Sequence, residues 1–221
     1  MVYLPPHFTE TDEQKLLAHI EQHDFGLLIT KGSELIASQV PFLVERRDGS
    51  LYLLGHLARP NPQCADLATD GEALAIFHGP HAYISPSWYA AGLAVPTWNY
   101  ASVHAYGAVR AITDRVWLAD FLRRLSERHE AHEAAPWRVR DQPDAFLNGM
   151  LNGIVGFEIA VSRLDGKFKL SQNRPAADPP RIIAALEARD DADSHGVARL
   201  MRERERVAPP GEGRTRGRPV A

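Results

Sequence analysis

Cysteine is nearly absent: the 221-residue chain carries one, Cys64. That excludes an intramolecular disulfide and any zinc centre built from several cysteines of a single chain. The lone thiol reads first as a small, half-buried hydrophobe. Long apolar runs are lacking too. No stretch reaches the roughly eighteen apolar residues that span a bilayer. The start MVYLPPHFTETDEQ has neither the basic nor the apolar region of a secretory signal. No membrane association and a cytoplasmic location are therefore the expectation. The phosphate-cradling patterns G-x-G-x-x-G and Walker A are missing, so a Rossmann or P-loop nucleotide site has no support. There is no G-x-S-x-G elbow, and Ser85 and Ser87 flank Pro86 in what reads as a turn, which removes support for a serine hydrolase. No repeat recurs at periods of about 20 to 50 residues.

Charge is present but unevenly spread. From Arg199 to the end, seven Arg and three Glu leave a balance of +4, so the formal −3 of the chain puts −7 on residues 1–198. An acidic body is a poor binder of a phosphate backbone. The Gly, Pro and Arg rich tail over 208–221 has the composition of a disordered segment. Residues 1–207 are expected to form one domain with helices at its C-terminal end, enough chain for a sizeable core.

Hydrophobic periodicity supplies the elements. Thr11 and Gln14 match a capping box, and Leu16, Leu17 and Ile20 recur at helical spacing, predicting a helix over 12–22. Gly26 to Thr30 and Leu35 to Glu45 read as two strands joined by a tight turn at 31–34, and Leu51 to His56 as a third. A Pro-Asn-Pro break leads into a short helical pattern ending at Leu67. Ala73 to Gly79 is an apolar strand that suits burial on both faces, with Pro86 interrupting the pairing beyond it. The next strand, beginning in VPTWNYASVHAYG (95–107) and running on to Ile112, is unusual. At period two, Trp98, Tyr100, Ser102, His104 and Tyr106 share one face, while the mostly small Asn99, Ala101, Val103, Ala105, Gly107 and Val109 share the other. Strand preference alone explains Tyr100 and Tyr106, but less well Trp98 and Asn99.

Thr113 or Asp114 caps a helix whose buried face is Trp117, Leu118, Phe121, Leu122 and Leu125. A shorter helix spans 142–152. Gly153 to Leu164 is a late strand, which Asp165 and Gly166 turn into KFKLSQNRP, and helical patterns over 182–188 and 197–206 follow. Many short antiparallel strands with helices inserted late describe an α+β barrel rather than alternating βαβ units.

Two histidine pairs, His78 with His81 and His129 with His132, lack a third ligand at fixed spacing and give little support for a metal centre. What remains is a set of polar groups interrupting strand-like or loop segments: Ser38 and Gln39 before Pro41, His56 to Gln63, Trp98 with Asn99, and Lys169 to Arg174. Amides, a guanidinium and an indole together suit a planar, anionic, hydrogen-bonding ligand.

GHLARPNPQ, FHGPHAYISPSWY, VPTWNYASVHAYG, GIVGFEI and KLSQNR occur here in the order seen in the PaiB-like family of FMN-binding negative transcriptional regulators, which the chain resembles from Val2 to Arg174. The resemblance implies an FMN-binding antiparallel split β-barrel with peripheral helices, related to pyridoxamine-phosphate oxidase-like proteins, and a homodimer with flavin between subunits. It implies that Arg59 and Asn61 lie near the phosphate and that Ser38, Gln39 and Pro41 run along the isoalloxazine edge. His56, Trp98, Asn99, Lys169, Gln172 and Asn173 complete the expected cofactor-binding set, some of them from the partner chain. Two departures stand out: Gln39 occupies a place where family members often have His, and Cys64 one where they often have an aromatic residue.

Regulation of gene expression is implied by the family name alone. The sequence contains no helix-turn-helix pattern, so DNA binding is expected to be weak at most and confined to the tail. Two other readings compete. One is a flavin-dependent oxidoreductase of the flavin reductase or pyridoxamine-phosphate-oxidase kind, in which flavin supplies the chemistry. The other is a haem-binding split barrel using His78, His81 or His104.

Overall fold

The computed structural model describes residues 2–69, 71–90 and 92–207, and the tail expected to be disordered lies outside them. In chain order the elements are β1 (Thr9–Glu10), α1 (Glu13–Gln22), β2 (Phe25–Lys31), β3 (Leu35–Pro41), β4 (Leu43–Arg47), β5 (Ser50–Ala58), α2 (Cys64–Leu67), β6 (Glu72–Ile84), β7 (Thr97–Ile112), α3 (Arg115–His129), α4 (Asp144–Asn152), β8 (Ile154–Lys169), α5 (Asp178–Glu187) and α6 (Ala192–Val207). The strands form one sheet in the order β3-β2-β6-β7-β8-β5-β4, with β1 added on β8. The pairs β2–β3, β2–β6, β4–β5, β5–β8 and β1–β8 are antiparallel. The class is the expected one, α+β with an antiparallel sheet of the split-barrel type and peripheral helices.

The described residues group into two compact units. One draws on Asp12–Phe77 and Val103–Asp165. Its core centres on Phe42, whose ring meets Phe77 edge-on at 5.1 Å and Phe157 at 5.8 Å. A second cluster in this unit joins Leu43, Leu54 and Phe121 to Trp117, Leu122 and Leu125, the face read for α3 from spacing. The other unit draws on the described residues of 2–11, 78–102 and 166–207, where Ile84, Leu170, Ile182, Leu186, Val197 and Met201 pack together.

Three expectations change. The cap of α1 is Asp12 rather than Thr11: the Asp12 carboxylate accepts from the amides of Gln14 and Lys15, because a carboxylate at the N-cap also faces the positive end of the helix. The strand read over 35–45 is two strands. Between them Phe42 turns into the core and its amide donates to Asp24 O at 2.8 Å, leaving the β2–β3 ladder. Asp165 and Gly166 do not turn the chain; β8 continues to Lys169 because β1 supplies a partner, Glu10 opposite Gly166 and Thr9 opposite Lys167. A short antiparallel partner of two residues is invisible to periodicity. On β7 the small-residue face is buried throughout, Asn99, Ala101, Val103, Ala105, Gly107 and Val109, whereas the other face is mixed: Trp98 is exposed, Tyr100 and His104 are half-buried, and Ser102 and Tyr106 are buried as well.

Candidate functional site

In the unit containing β2 to β5, a cleft of about 410 Å³ is lined by residues 37–41 of β3, residues 56–58 of β5 and Asn61 just beyond. The volume is in the range of small-molecule sites. Five of the residues singled out from sequence meet here: Ser38, Gln39, Pro41, His56 and Asn61. Strand alternation puts Ser38 on the face that carries half-buried Ile36 and buried Val40, and the turn after β5 brings Asn61 to it.

The Asn61 side chain is fixed at both ends. Its Oδ1 accepts from the Gln63 amide at 2.9 Å, an Asx-type turn, and its Nδ2 donates to Ser38 Oγ at 3.1 Å. With the carbonyl end engaged, the amide's donor end is the one on the Ser38 side. Among the described residues, no carboxylate lines the cleft. The polar side chains are hydroxyl, amide and imidazole, a set suited to acceptor oxygens of a ligand.

His56 carries an orphan. Its Nδ1 is buried without a hydrogen-bond partner, and its ring meets Phe121 edge-on at 5.5 Å. Burial pushes its pKa below the ordinary value, which favours the neutral imidazole. A neutral ring with an unpaired nitrogen in a cleft wall can donate to or accept from a ligand, according to its tautomer.

Arg59 does not line the cleft. Its Nε donates to Asn152 O at 2.7 Å and Nη2 to Ile154 O at 2.9 Å, while its amide donates to Gly153 O. The guanidinium thus satisfies a carbonyl at the C-terminal end of α4, groups that a helix leaves unpaired.

Sequence reading placed Gln63 in a polar segment without a role. It is fully buried, and Nε2 reaches Leu28 O at 3.2 Å, Thr30 Oγ1 at 3.1 Å and Ile36 O at 3.2 Å. Thr30 in turn donates to Asp66 at 2.6 Å. These bonds staple the segment carrying Asn61 to the β2–β3 hairpin. The partners lie about 30 positions away in sequence, so composition offers no signal beyond a glutamine next to a proline. Cys64 sits beside this segment with Sγ 3.5 Å from Ala58 O, its pKa raised by burial.

The remaining predicted residues lie in the other unit. Asn99 is fully buried, hydrogen-bonded to Ser171 at 2.9 Å and 3.1 Å, and its Nδ2 contacts Met201 Sδ at 3.6 Å. Ser171 takes φ +62°, the left-handed region uncommon outside glycine. Gln172 folds back, accepting from the Leu170 amide at 2.6 Å and donating to Phe168 O. Lys169 donates to Thr97 Oγ1 and, at 2.9 Å, to Trp98 O; burial and then Lys167 lower its pKa. Asn173 is an exposed turn residue. His78 and His81 meet ring to ring at 5.0 Å. Among the described residues, no group of three or more His, Cys, Asp or Glu side chains is placed to hold a metal ion, and no helix is long and apolar enough to cross a membrane.

Residues 2–163 match the family described as "Putative FMN-binding domain". Protease synthase and sporulation protein PAI 2 of Bacillus subtilis is 33% identical over 204 residues, covering 92% of this chain and 98% of its own. Uncharacterized protein AN0679 of Emericella nidulans is 33% identical over 204 residues, covering 76% of this chain and 81% of its own. Among solved structures, the flavocytochrome Anf3 from Azotobacter vinelandii gives a TM-score of 0.56 at 12% identity, covering 87% of this chain and 77% of that one. The FAD and heme binding protein from Mycobacterium smegmatis gives 0.51 at 14% identity, covering 73% of each chain. At such identities these two structures share the fold alone.

Proposed function

The chain belongs to the FMN-binding domain family, and we propose that it binds FMN in the cleft between β3, β5 and Asn61 and works as a homodimeric regulator of gene expression. The observation that carries the cofactor reading is the donor-rich, carboxylate-free wall: Asn61 held with Nδ2 against Ser38, beside a buried His56 nitrogen without a partner. Those groups fit the acceptor oxygens and ring nitrogens of a flavin mononucleotide, and Pro41 and Leu57 offer apolar surface beside them. Bound flavin would supply electron-transfer chemistry, while the chain's part is to bind and orient.

Within this reading Ser38, Gln39, Pro41, His56 and Asn61 are the contact residues. Arg59 acts by holding the α4–β8 junction next to the segment that carries Asn61. Asn99 and Gln172 have their polar groups engaged inside the protein and serve the architecture of their own unit. Gln39 offers a donor and an acceptor but no titratable proton, so no acid or base role falls to that position.

The regulatory part extends to this chain what the name of the B. subtilis relative says of protease synthesis and sporulation. With −7 on residues 1–198, regulation is proposed to run through flavin or a protein partner rather than through tight, sequence-specific DNA contact. Titration of the purified protein with FMN tests the cofactor claim. Quenching of flavin fluorescence and a shifted flavin band are expected, and a colourless protein that quenches nothing overturns it. NADH turnover above that of free FMN would move the reading to a flavin-dependent oxidoreductase.

A further inference from the structure

One side of α6 is anchored. Val197, Ala198 and Met201 are buried with Ile182, Ile183 and Leu186 of α5, and the Asp191 carboxylate accepts from the Ser194 amide at 2.7 Å near the start of the helix. Elsewhere on α6, His195, Arg199, Arg202 and Arg206 stand four, three and four positions apart, the spacing of one helical stripe. Together with Glu203, and with Glu187 at the end of α5, they line a cavity of about 540 Å³, within the range of small-molecule sites. None of these six side chains belongs to the flavin-contact set.

The six side chains are not equivalent. Arg202 is held in place: its Nε donates to Glu187 Oε1 at 2.7 Å and its Nη2 to Oε2 at 2.5 Å, a two-pronged pair that keeps the Glu187 carboxyl below its ordinary pKa. That pair is neutral and fixes one wall. Arg199 and Arg206, one turn to either side, make no ion pair among the described residues and are exposed. A rise of about 1.5 Å per residue puts their Cα atoms roughly 10 Å apart, so the two guanidinium forks border the cavity from opposite ends. Planar forks pair bidentately with phosphate oxygens. A lone orthophosphate engages one fork, whereas a chain of two or three phosphates reaches both.

We infer that the α5–α6 groove is an anion site for a small molecule carrying a di- or triphosphate chain, gripped by Arg199 and Arg206 across the fixed Arg202–Glu187 pair. Glu203 faces the same cavity, and its carboxylate opposes the ligand and limits its affinity.

The test titrates the full chain calorimetrically, with and without FMN, at about 0.1 M salt so that distant charges are screened. The probes are tripolyphosphate, ADP and orthophosphate. Tripolyphosphate is expected to bind at least about tenfold more tightly than orthophosphate. ADP matching it makes nucleotides the source of the phosphate chain, and a weaker ADP makes inorganic chains the source. Arg199→Gln and Arg206→Gln each weaken tripolyphosphate about tenfold, the size of one charge-assisted pair. Arg199→Lys recovers part of that loss, because it restores the charge without the fork. Glu203→Gln tightens binding severalfold by removing a repulsion. Changing Arg214, Arg216 and Arg218 of the tail to Gln leaves the affinity as in the parent. Absence of tripolyphosphate binding overturns the inference, as does orthophosphate binding equally well. So does an affinity that survives loss of both Arg199 and Arg206, or one that the tail substitutions abolish. Release of FMN by tripolyphosphate would place the ligand in the flavin site, and a double variant sedimenting as a smaller species than the parent would assign the arginines to a subunit contact; either result overturns the groove as a separate site. Tripolyphosphate binding is read whether or not FMN binds, so failure of the flavin reading is seen separately.

Discussion

Two residues carry most of the cleft's chemistry, and each gives a distinct prediction. Asn61 contributes one donor and one structural acceptor. Asn61→Asp keeps the acceptor for the Gln63 amide but replaces the donor by a carboxylate. It is expected to weaken FMN by more than the roughly tenfold loss of Asn61→Ala, because it adds repulsion toward a phosphate; flavin fluorescence titration reads both. His56 is a titration prediction. Its pKa is lowered in the folded chain by burial, so below the ordinary value of 6.5 the unfolded chain binds a proton that the folded chain resists. Stability is then lost as pH falls through that value toward the folded one. His56→Phe should flatten this part of the profile, so the drop in Tm between pH 7.5 and 5.5, about one unit either side of the ordinary histidine range, becomes smaller than in the parent. An unchanged drop would count against a buried neutral His56. Motif resemblance singles out both residues but not their geometry: a histidine in GHLARPNPQ is equally a surface residue until Phe121 is brought against it.

Elements show where local pattern suffices and where it fails. The buried face of β7 follows from alternation of small residues, and Gly107 states the reason: a Cβ there would sit 2.0 Å from the Ala160 carbonyl oxygen of β8. Gly107→Ala is expected to cost about 1–3 kcal/mol and lower Tm by several degrees, whereas Ala108→Ser on the exposed side of the same strand leaves Tm unchanged. The staple beneath the cleft is the opposite case. Thr30 lies on β2 and serves Gln63 and Asp66 at once, a conjunction no periodicity announces. Thr30→Val removes the donor to Asp66 and one of three acceptors around Gln63 Nε2 and should destabilise by about 1–3 kcal/mol with weaker flavin binding, while Thr30→Ser retains both bonds; urea unfolding paired with flavin titration separates the two effects. The single strand read over 35–45 failed for a related reason, since only the core decides that Phe42 leaves the ladder.

At the scale of the molecule, charge organises the sheet as well as the surface. Glu158 on β8, only 5% exposed, pairs with Arg47 at 2.8 Å and with Arg110 at 2.7 Å. Both arginines retain access to water, so Glu158→Gln should cost about 1–3 kcal/mol rather than the larger penalty of stranding a fully buried charge; chemical denaturation of the full chain reads it. For the assembly, sedimentation at micromolar concentration is expected to show a dimer. DNA retention, if any, should vanish at moderate salt and on removal of residues 208–221; tight sequence-specific binding by residues 1–207 would refute the indirect regulatory reading.

The sequence by itself determined the family, the α+β class, the run of antiparallel strands, the buried face of β7 and the polar segments from which a site could be built. Those properties reside in neighbours two, three or four positions apart, or in motif strings read in order. The tertiary structure alone decided which polar residues meet: Ser38, His56 and Asn61 on one cleft, Arg59 turned to the carbonyls after α4, and Asn99 sealed against Ser171. A hydrogen bond is a relation between groups brought together by the fold. Whether an amide faces a ligand or its own protein depends on a partner that can lie 72 positions away, as Ser171 does from Asn99.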